Sequence, residues 1–203
     1  MSKSNGSRVI GIGFSPRSEG NSDILLEWAL EGAKKAGAKV NKIFIRDLKI
    51  NYCLGCRYCE TSGECIQKDD FQKLCKELDR ADFLIISTPI FFLGIPAHSK
   101  AMIDRFQTYW SRKYLLARPP YREKRNALVL MSAGSDVEDV FDCAKKTLRA
   151  FFQVSGFHSW QELGINAVDE KASVRKIPGL QKKIKKSGYR LVRNKIVKLK
   201  VKT

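Results

Sequence analysis

Four of the six cysteines fall in one short stretch, Cys53-Leu-Gly-Cys56-Arg-Tyr-Cys59-Glu-Thr-Ser-Gly-Glu-Cys65. Thiolates two residues apart can turn inward around one small object, and a cubane with four iron corners takes four of them. Cys53, Cys56, Cys59 and Cys65 are therefore the candidate ligands of an iron–sulfur cluster. Gly55 and Gly63 give this loop the backbone freedom to wrap. A four-cysteine zinc site usually comes as two separated C-x2-C pairs, so three cysteines in tight succession favour the cluster. Spacing alone does not identify a metal, and zinc or free thiols stay open as alternatives.

A second constellation is spread over three loops. Ser15-Pro-Arg-Ser-Glu-Gly20-Asn21-Ser22 is dense in hydroxyls and turn formers and runs into a helical pattern carried by Ile24, Leu25, Trp28, Ala29 and Leu30. A helix begun at Asn21 or Ser22 leaves its first amide hydrogens unpaired at a positive dipole end. Ser15, Arg17, Asn21 and Ser22 lie close by as further donors. Such a place holds phosphate, although an ordinary helix start reads the same way on this loop alone. Thr88-Pro-Ile-Phe-Phe-Leu-Gly94 is unusually apolar for a loop. Its Thr88, Pro89, Ile90, Phe91, Phe92 and Gly94 read either as a flat shelf for a planar ring system or as a covered core loop. The third loop, Ser132-Ala133-Gly134-Ser135, again follows a strand pattern.

The elements that must position these loops alternate regularly. Apolar runs at 8–14, 38–45, 83–87 and 127–131, and a fifth segment at 158–166, read as strands. Helical patterns start at Asn21 or Ser22, cover about 69–78, 97–113 and 137–154, and resume from Pro178. Five strands alternating with five helices imply right-handed crossovers and a parallel sheet between two helix layers. In the flavodoxin-like order 2-1-3-4-5 the loops after strands one, three and four meet at the switch point. One ligand with an anionic tail and a flat apolar head would satisfy them, and FMN has that shape. Cys75 and Cys143, inside helical patterns, are expected to be small buried hydrophobes.

The chain carries a net charge of +17, with thirteen Lys and Arg and no acidic residue from Lys171 onward, so the body is close to balanced. This suggests one domain over 1–192 and a basic tail over 193–203. The tail reads as a solvated segment or a dock for an acidic partner. Nucleic acid is not expected, because Tyr189 is the only aromatic of the basic region. No apolar run reaches membrane-spanning length and the start has no signal-peptide core, so a cytoplasmic protein is expected.

Three motifs in order carry a resemblance: Gly11-Ile-Gly-Phe-Ser-Pro-Arg17 with Gly20-Asn-Ser22, the cysteine loop ending in Cys65-Ile-Gln-Lys-Asp-Asp70, and Thr88-Pro-Ile-Phe-Phe-Leu-Gly-Ile-Pro-Ala-His-Ser-Lys-Ala-Met-Ile-Asp-Arg105. Over roughly residues 8–192 the chain resembles the NAD(P)H-dependent FMN reductase superfamily, and within it the iron–sulfur flavoproteins. The resemblance implies that the first loop holds the FMN phosphate and the second stacks on the isoalloxazine. The third loop, with Ser132, Ala133 and Gly134, would border its pyrimidine side, and the cysteine loop would carry a [4Fe-4S] cluster. The sequence departs from the family pattern in three places. Phe14 stands where the family has Gly, Phe91 where it has Tyr, and His98-Ser99 where it has Gln-Met. Phe14 is thereby expected to limit how closely the backbone approaches a phosphate.

The expected function is a flavin-dependent oxidoreductase in which a [4Fe-4S] cluster exchanges single electrons with a ferredoxin-like donor and FMN serves a small acceptor. One alternative is an NAD(P)H-dependent FMN or quinone reductase without a functional cluster. A second is a basic binding module stabilised by zinc. No side-chain acid or base is obvious. His98 is the one candidate proton donor near the shelf and reads equally as a packing or hydrogen-bonding residue, and Lys100, Asp104 and Arg105 read as ion-pair formers within the helix or between subunits. The cysteine loop should be covered in a homodimer or homotetramer, with Tyr109, Trp110, Tyr114, Leu115 and Leu116 read either as its anchors or as ordinary packing of their helix.

Overall fold

The structure, a computed structural model, describes residues 6–118 and 125–193; the first five residues and the basic run 194–203 lie outside it. Strands Arg8–Gly13 (β1), Lys39–Phe44 (β2), Phe83–Pro89 (β3), Arg125–Ser132 (β4) and Phe157–Ile165 (β5) form one sheet. All neighbours are parallel, as the alternation predicts, and the order is β2-β1-β3-β4-β5, the flavodoxin-like order expected above. The described helices are Asn21–Lys35 (α1), Cys59–Ser62 (α2), Phe71–Arg80 (α3), Ala97–Asp104 (α4), Gln107–Tyr114 (α5), Asp142–Ser155 (α6) and Leu180–Val192 (α7). None is long and apolar enough to cross a membrane.

The central strand shows why its sequence has no alternation. Leu84 and Ile86 face one core with Phe106, Phe151 and Phe152, while Phe83 and Ile85 face the other with Leu25, Leu26 and Ile184. The first core, under α3 to α6, is held by edge-on aromatic pairs, Phe71 on Phe106 at 5.3 Å and Phe106 on Phe151 at 4.7 Å. On the opposite face α1 and α7 meet backbone to backbone. A Cβ added to Gly32 would stand 1.9 Å from the Lys185 carbonyl oxygen, and one added to Gly188 1.9 Å from that of Ala29. Buried Arg125 donates to the carbonyls of Leu78 at 2.7 Å, Ala81 at 3.1 Å and Ser155, placing a cation at the negative ends of α3 and α6.

Several expectations need correction. The helical pattern over 97–113 is two helices, broken at Arg105 and Phe106. The pattern over 137–154 becomes helical only at Asp142; Ser135 Oγ accepts the Val137 amide at 3.2 Å and turns the preceding segment. The last helix begins at Leu180, after Gly179 at φ +74°, so Pro178 precedes the helix. Cys75 packs on the core, where burial pushes its thiol up to about 12, whereas Cys143 is exposed because α6 turns that face to solvent. Tyr109 is buried and donates to Asp79 at 2.8 Å, so it cannot anchor an interface.

Candidate functional site

At the carboxyl edge of the sheet, the loops after β1, β3 and β4 line one cleft of about 180 Å³. Ser15, Arg17, Asn21, Ser22, Pro89, Ile90, Phe91, Ser132 and Gly134 all reach it. The amino terminus of α1 opens here, with Gly20 as a cap residue that supplies no side-chain hydrogen bond, so the helix start keeps its positive end for a ligand. Ser15 Oγ donates to the Arg17 carbonyl at 2.9 Å and accepts the Arg17 amide at 3.1 Å. Its hydroxyl thus shapes the loop.

Arg46, just beyond β2, grips this loop from behind. Its guanidinium pairs with Asp23 at 2.9 and 3.1 Å, donates to the carbonyls of Ser15 at 3.0 Å and Arg17 at 3.3 Å, and stacks over Phe44 at 3.9 Å. Two carbonyl oxygens of the loop are thereby already occupied. Ser22 Oγ and Ser132 Oγ share a hydrogen bond of 2.8 Å and Ser87 Oγ donates to the Ser22 carbonyl at 2.7 Å, which ties α1 to β3 and β4.

Asn21 has a different role from the expected phosphate donor. Its Nδ2 donates to the carbonyls of Val168 at 3.0 Å and Glu170 at 2.9 Å and lies 3.2 Å from Ser173 Oγ. Its Oδ1 accepts the Val174 amide at 3.3 Å. The residue pins the segment after β5, which brings Val168, Asp169 and Lys171 into the cleft wall. That segment carries no motif, so sequence reading missed it.

The remaining predicted residues stand around the cleft without lining it. Thr88 is buried and its Oγ1 donates to the Pro89 carbonyl at 2.8 Å, and Ala133 is buried with its amide on the Ile165 carbonyl at 2.9 Å. Phe91 and Gly94 close a tight turn through paired 2.9 Å backbone bonds, with Phe92 at φ 47° and Leu93 at φ 63°. Both central residues are left-handed, the geometry of a type I′ turn, which strains side-chain-bearing residues. Phe91 faces the cleft and Phe92 is fully exposed, so the shelf has one ring on each side of a raised turn. A larger groove of about 700 Å³ runs along α1 and β2, but three ion pairs cross its wall, Asp23 with Arg46, Glu27 with Lys42 and Glu19 with Lys171.

Two departures from the family pattern prove to be neighbours. Phe14 is wholly buried, so its ring points into the core and away from the cleft. Its carbonyl accepts Ser99 Oγ at 3.3 Å. His98 hydrogen-bonds the Phe14 backbone, and its Nε2 is buried without a partner among the described residues. Burial, with repulsion from Arg46, outweighs that hydrogen bond and holds the imidazole below the usual histidine range. His98 does not line the cleft.

The four loop cysteines line a second cavity, of about 350 Å³, with Arg105 and Thr108 in its wall. Gly55 at φ +64°, Arg57 at φ 61° and Gly63 at φ +73° turn the chain around it. Among the described residues no three His, Cys, Asp or Glu side chains converge tightly enough to hold one metal ion. The four cysteines instead line one shared space. Two receive donors: Arg105 Nη2 lies 3.3 Å from Cys65 Sγ and the buried Ser111 Oγ 3.5 Å from Cys59 Sγ. Lys100 pairs with Asp104 within α4 as expected, but Arg105 pairs with Asp69 below the cysteine loop. Burial pulls the Asp69 carboxyl upward, yet Arg105 and the amides of Asn51 and Phe71 outweigh it and hold it below the usual carboxylate range.

Comparison with known proteins places this geometry. The profile of a family described as NADPH-dependent FMN reductase matches residues 7–158. The chain belongs to this family. An iron–sulfur flavoprotein of Archaeoglobus fulgidus is 33% identical over 71% of the chain, and the chain spans 63% of that relative's length. The iron–sulfur flavoprotein MJ0731 of Methanocaldococcus jannaschii is 31% identical over 73% of the chain and 72% of its own length. Among solved structures, an NAD(P)H:quinone oxidoreductase from Methanothermobacter marburgensis superposes with a TM-score of 0.65 over 92% of this chain and 97% of its own, at 22% identity, a likeness of fold. The FMN reductase family thus accounts for the sheet order and for the cleft at its carboxyl edge, and the cysteine loop lies within the matched residues.

Proposed function

We propose that this member of the FMN reductase family is a redox flavoprotein that holds FMN in the cleft and a [4Fe-4S] cluster at Cys53, Cys56, Cys59 and Cys65. The observation that carries the reading is the convergence of the loops after β1, β3 and β4 on the uncapped start of α1, with Arg17 and Lys171 in the wall. The donor set suits a phosphate, and Phe91 beside Pro89 and Ile90 suits a planar ring. The cysteine cavity fits a cluster: four cysteines lining one space, two of them with donors to sulfur, match an object larger than one ion.

Bound FMN would supply two-electron exchange with a small acceptor and one-electron exchange with the cluster, whose donor is a ferredoxin-like protein; where NAD(P)H is the donor instead, its hydride would go to the flavin. The chain's own contribution is binding and orientation. Arg17 and the α1 amides fix the anionic end, Arg46 shapes the loop that presents them, and the turn at Phe91 positions the ring. Cleft and cysteine loop both open at the carboxyl ends of the strands, on one edge of the sheet.

The same edge exposes Tyr52, Leu54, Tyr58 and Ile66 of the cysteine loop and Phe92 and Leu93 of the raised turn, while α5 exposes Trp110 and Tyr114 and Leu115 is exposed just after it. A second copy of the chain is the occupant we assign to them, giving a homodimer or a dimer of dimers. The domain ends near residue 192, and the basic residues after it serve an acidic partner or solvation.

Anaerobic purification followed by the visible spectrum and analysis for flavin, iron, acid-labile sulfide and zinc tests this reading. Flavin with iron and sulfide is expected. Flavin alone, bleached by NADPH, would instead favour a cluster-free FMN or quinone reductase. Protein holding zinc and no flavin overturns the proposal in favour of a basic binding module.

A further inference from the structure

Arg105 stands at the break between α4 and α5, and at 1% exposure it is among the largest fully buried side chains. Burying a guanidinium is strongly unfavourable unless every edge of it is answered. One edge pairs with Asp69, its face lies 4.5 Å from the Phe71 ring centroid, and it donates to the carbonyls of Asn51 at 3.4 Å and Gln67 at 3.3 Å. These partners bracket the cysteine loop. Asn51 comes two residues before Cys53 and Gln67 two after Cys65, and the Asn51 amide itself donates to Asp69 at 3.0 Å.

What the loop's two ends do not use is turned to sulfur or left unanswered. Nη2 lies 3.3 Å from Cys65 Sγ, and Nε is buried with no partner among the described residues. Arg105 is also part of the wall of the cysteine cavity. A buried guanidinium that contacts one thiol of a cavity lined by all four, with one donor left over, favours negative charge in that cavity.

We propose that Arg105 is the positioning and charge-setting residue of the cysteine cavity: it clamps the two ends of the loop and places a fixed positive charge against the Cys65 sulfur. The inference rests on the iron–sulfur reading given above. When a one-electron donor reduces the site, no bond is made or broken and one negative charge is added. Arg105 stabilises that charge, while Asp69, on the far edge of the guanidinium, offsets part of the effect. Removing the cation and removing its counter-charge therefore act in opposite directions.

The test is a potentiometric titration of the cluster, followed by its EPR signal, in wild-type, Arg105→Gln, Arg105→Lys and Asp69→Asn holoprotein. Arg105→Gln should make reduction at least tenfold harder, a fall of 59 mV for one electron. Arg105→Lys, which keeps the charge, should fall less, and Asp69→Asn should rise. A merely structural role would lower cluster content in all three without opposed shifts, so unchanged or same-sign midpoints overturn the proposal. If Arg105→Gln does not assemble, the sign of the Asp69→Asn shift decides. Wild-type protein without acid-labile sulfide would defeat the cluster reading and the charge-setting role with it. Hydrogen exchange on metal-free protein would then judge the clamp: amides of residues 51–69 should exchange at least tenfold faster in Arg105→Gln, and equal protection overturns it.

Discussion

Asn21→Ala separates a phosphate ligand from a structural tie. The side-chain amide has two hydrogens, so the three contacts of Nδ2 amount to two hydrogen bonds, and Oδ1 accepts a third from Val174. At about 1 kcal/mol net for each bond, and less for the one at the exposed Glu170 end, the loss should be roughly 2 kcal/mol. For a domain of this size that is a fall of about 4–8 °C in the thermal midpoint. Flavin-free protein in urea should show a lower midpoint concentration at unchanged slope. Asn21→Asp should be at least as damaging, because a carboxylate would then face the carbonyls of Val168 and Glu170. FMN affinity should fall as well, through loosening of the wall that carries Asp169 and Lys171. Apoprotein within about 0.5 kcal/mol of wild type, with FMN affinity alone reduced, would refute the reasoning and return Asn21 to the phosphate.

Three further expectations follow from the same geometry. Arg17 is exposed on the cleft rim, so Arg17→Ala should weaken FMN by about 1–3 kcal/mol in a fluorescence titration and leave the thermal midpoint of the apoprotein in place; unchanged affinity would remove Arg17 from the site. His98 has a folded pKa held below its unfolded value of about 6.5, so the unfolded chain binds more protons in the window between them. Its contribution is present above the unfolded value and lost as pH falls through the folded one, and His98→Gln should flatten the loss of urea stability on acidification relative to wild type. Gly188→Ala forces a methyl against the Ala29 carbonyl, and destabilisation of about 3 kcal/mol in urea is expected; a variant near wild type would show that α7 shifts freely on α1.

The parts of the fold that read directly from sequence are those where burial leaves no choice. The unbroken apolar runs of β1, β3 and β4 are buried on both faces, and with the helices between them they point to a parallel sheet between two helix layers, whereas the strand order comes from the flavodoxin-like arrangement. The helix break at Arg105 is invisible in the sequence because apolar residues continue through it at helical spacing, Met102, Ile103, Phe106 and Tyr109, and the partner of Arg105 there, Asp69, is far away in sequence. The same holds in the cleft. The loops rich in hydroxyls, glycine and aromatics announced themselves, whereas Arg46, Asp169 and Lys171 are ordinary surface-type residues made relevant by folding. Phe14 misled in the opposite sense, since residue type alone does not tell which way a side chain leaves a strand end.

The glycine-to-backbone seam between α1 and α7 bears on how the chain is made. Gly32 and Gly188 lie far apart in sequence, and at roughly 5–20 residues per second a ribosome needs on the order of 8–30 s to go from one to the other. Throughout that interval the sheet face and the apolar side of α1 lack their cover, although α3 to α6 can already close the opposite layer. The nascent chain therefore passes through a half-finished state with one apolar face open, the kind of surface that chaperones recognise, and a stop codon anywhere within α7 leaves it there permanently.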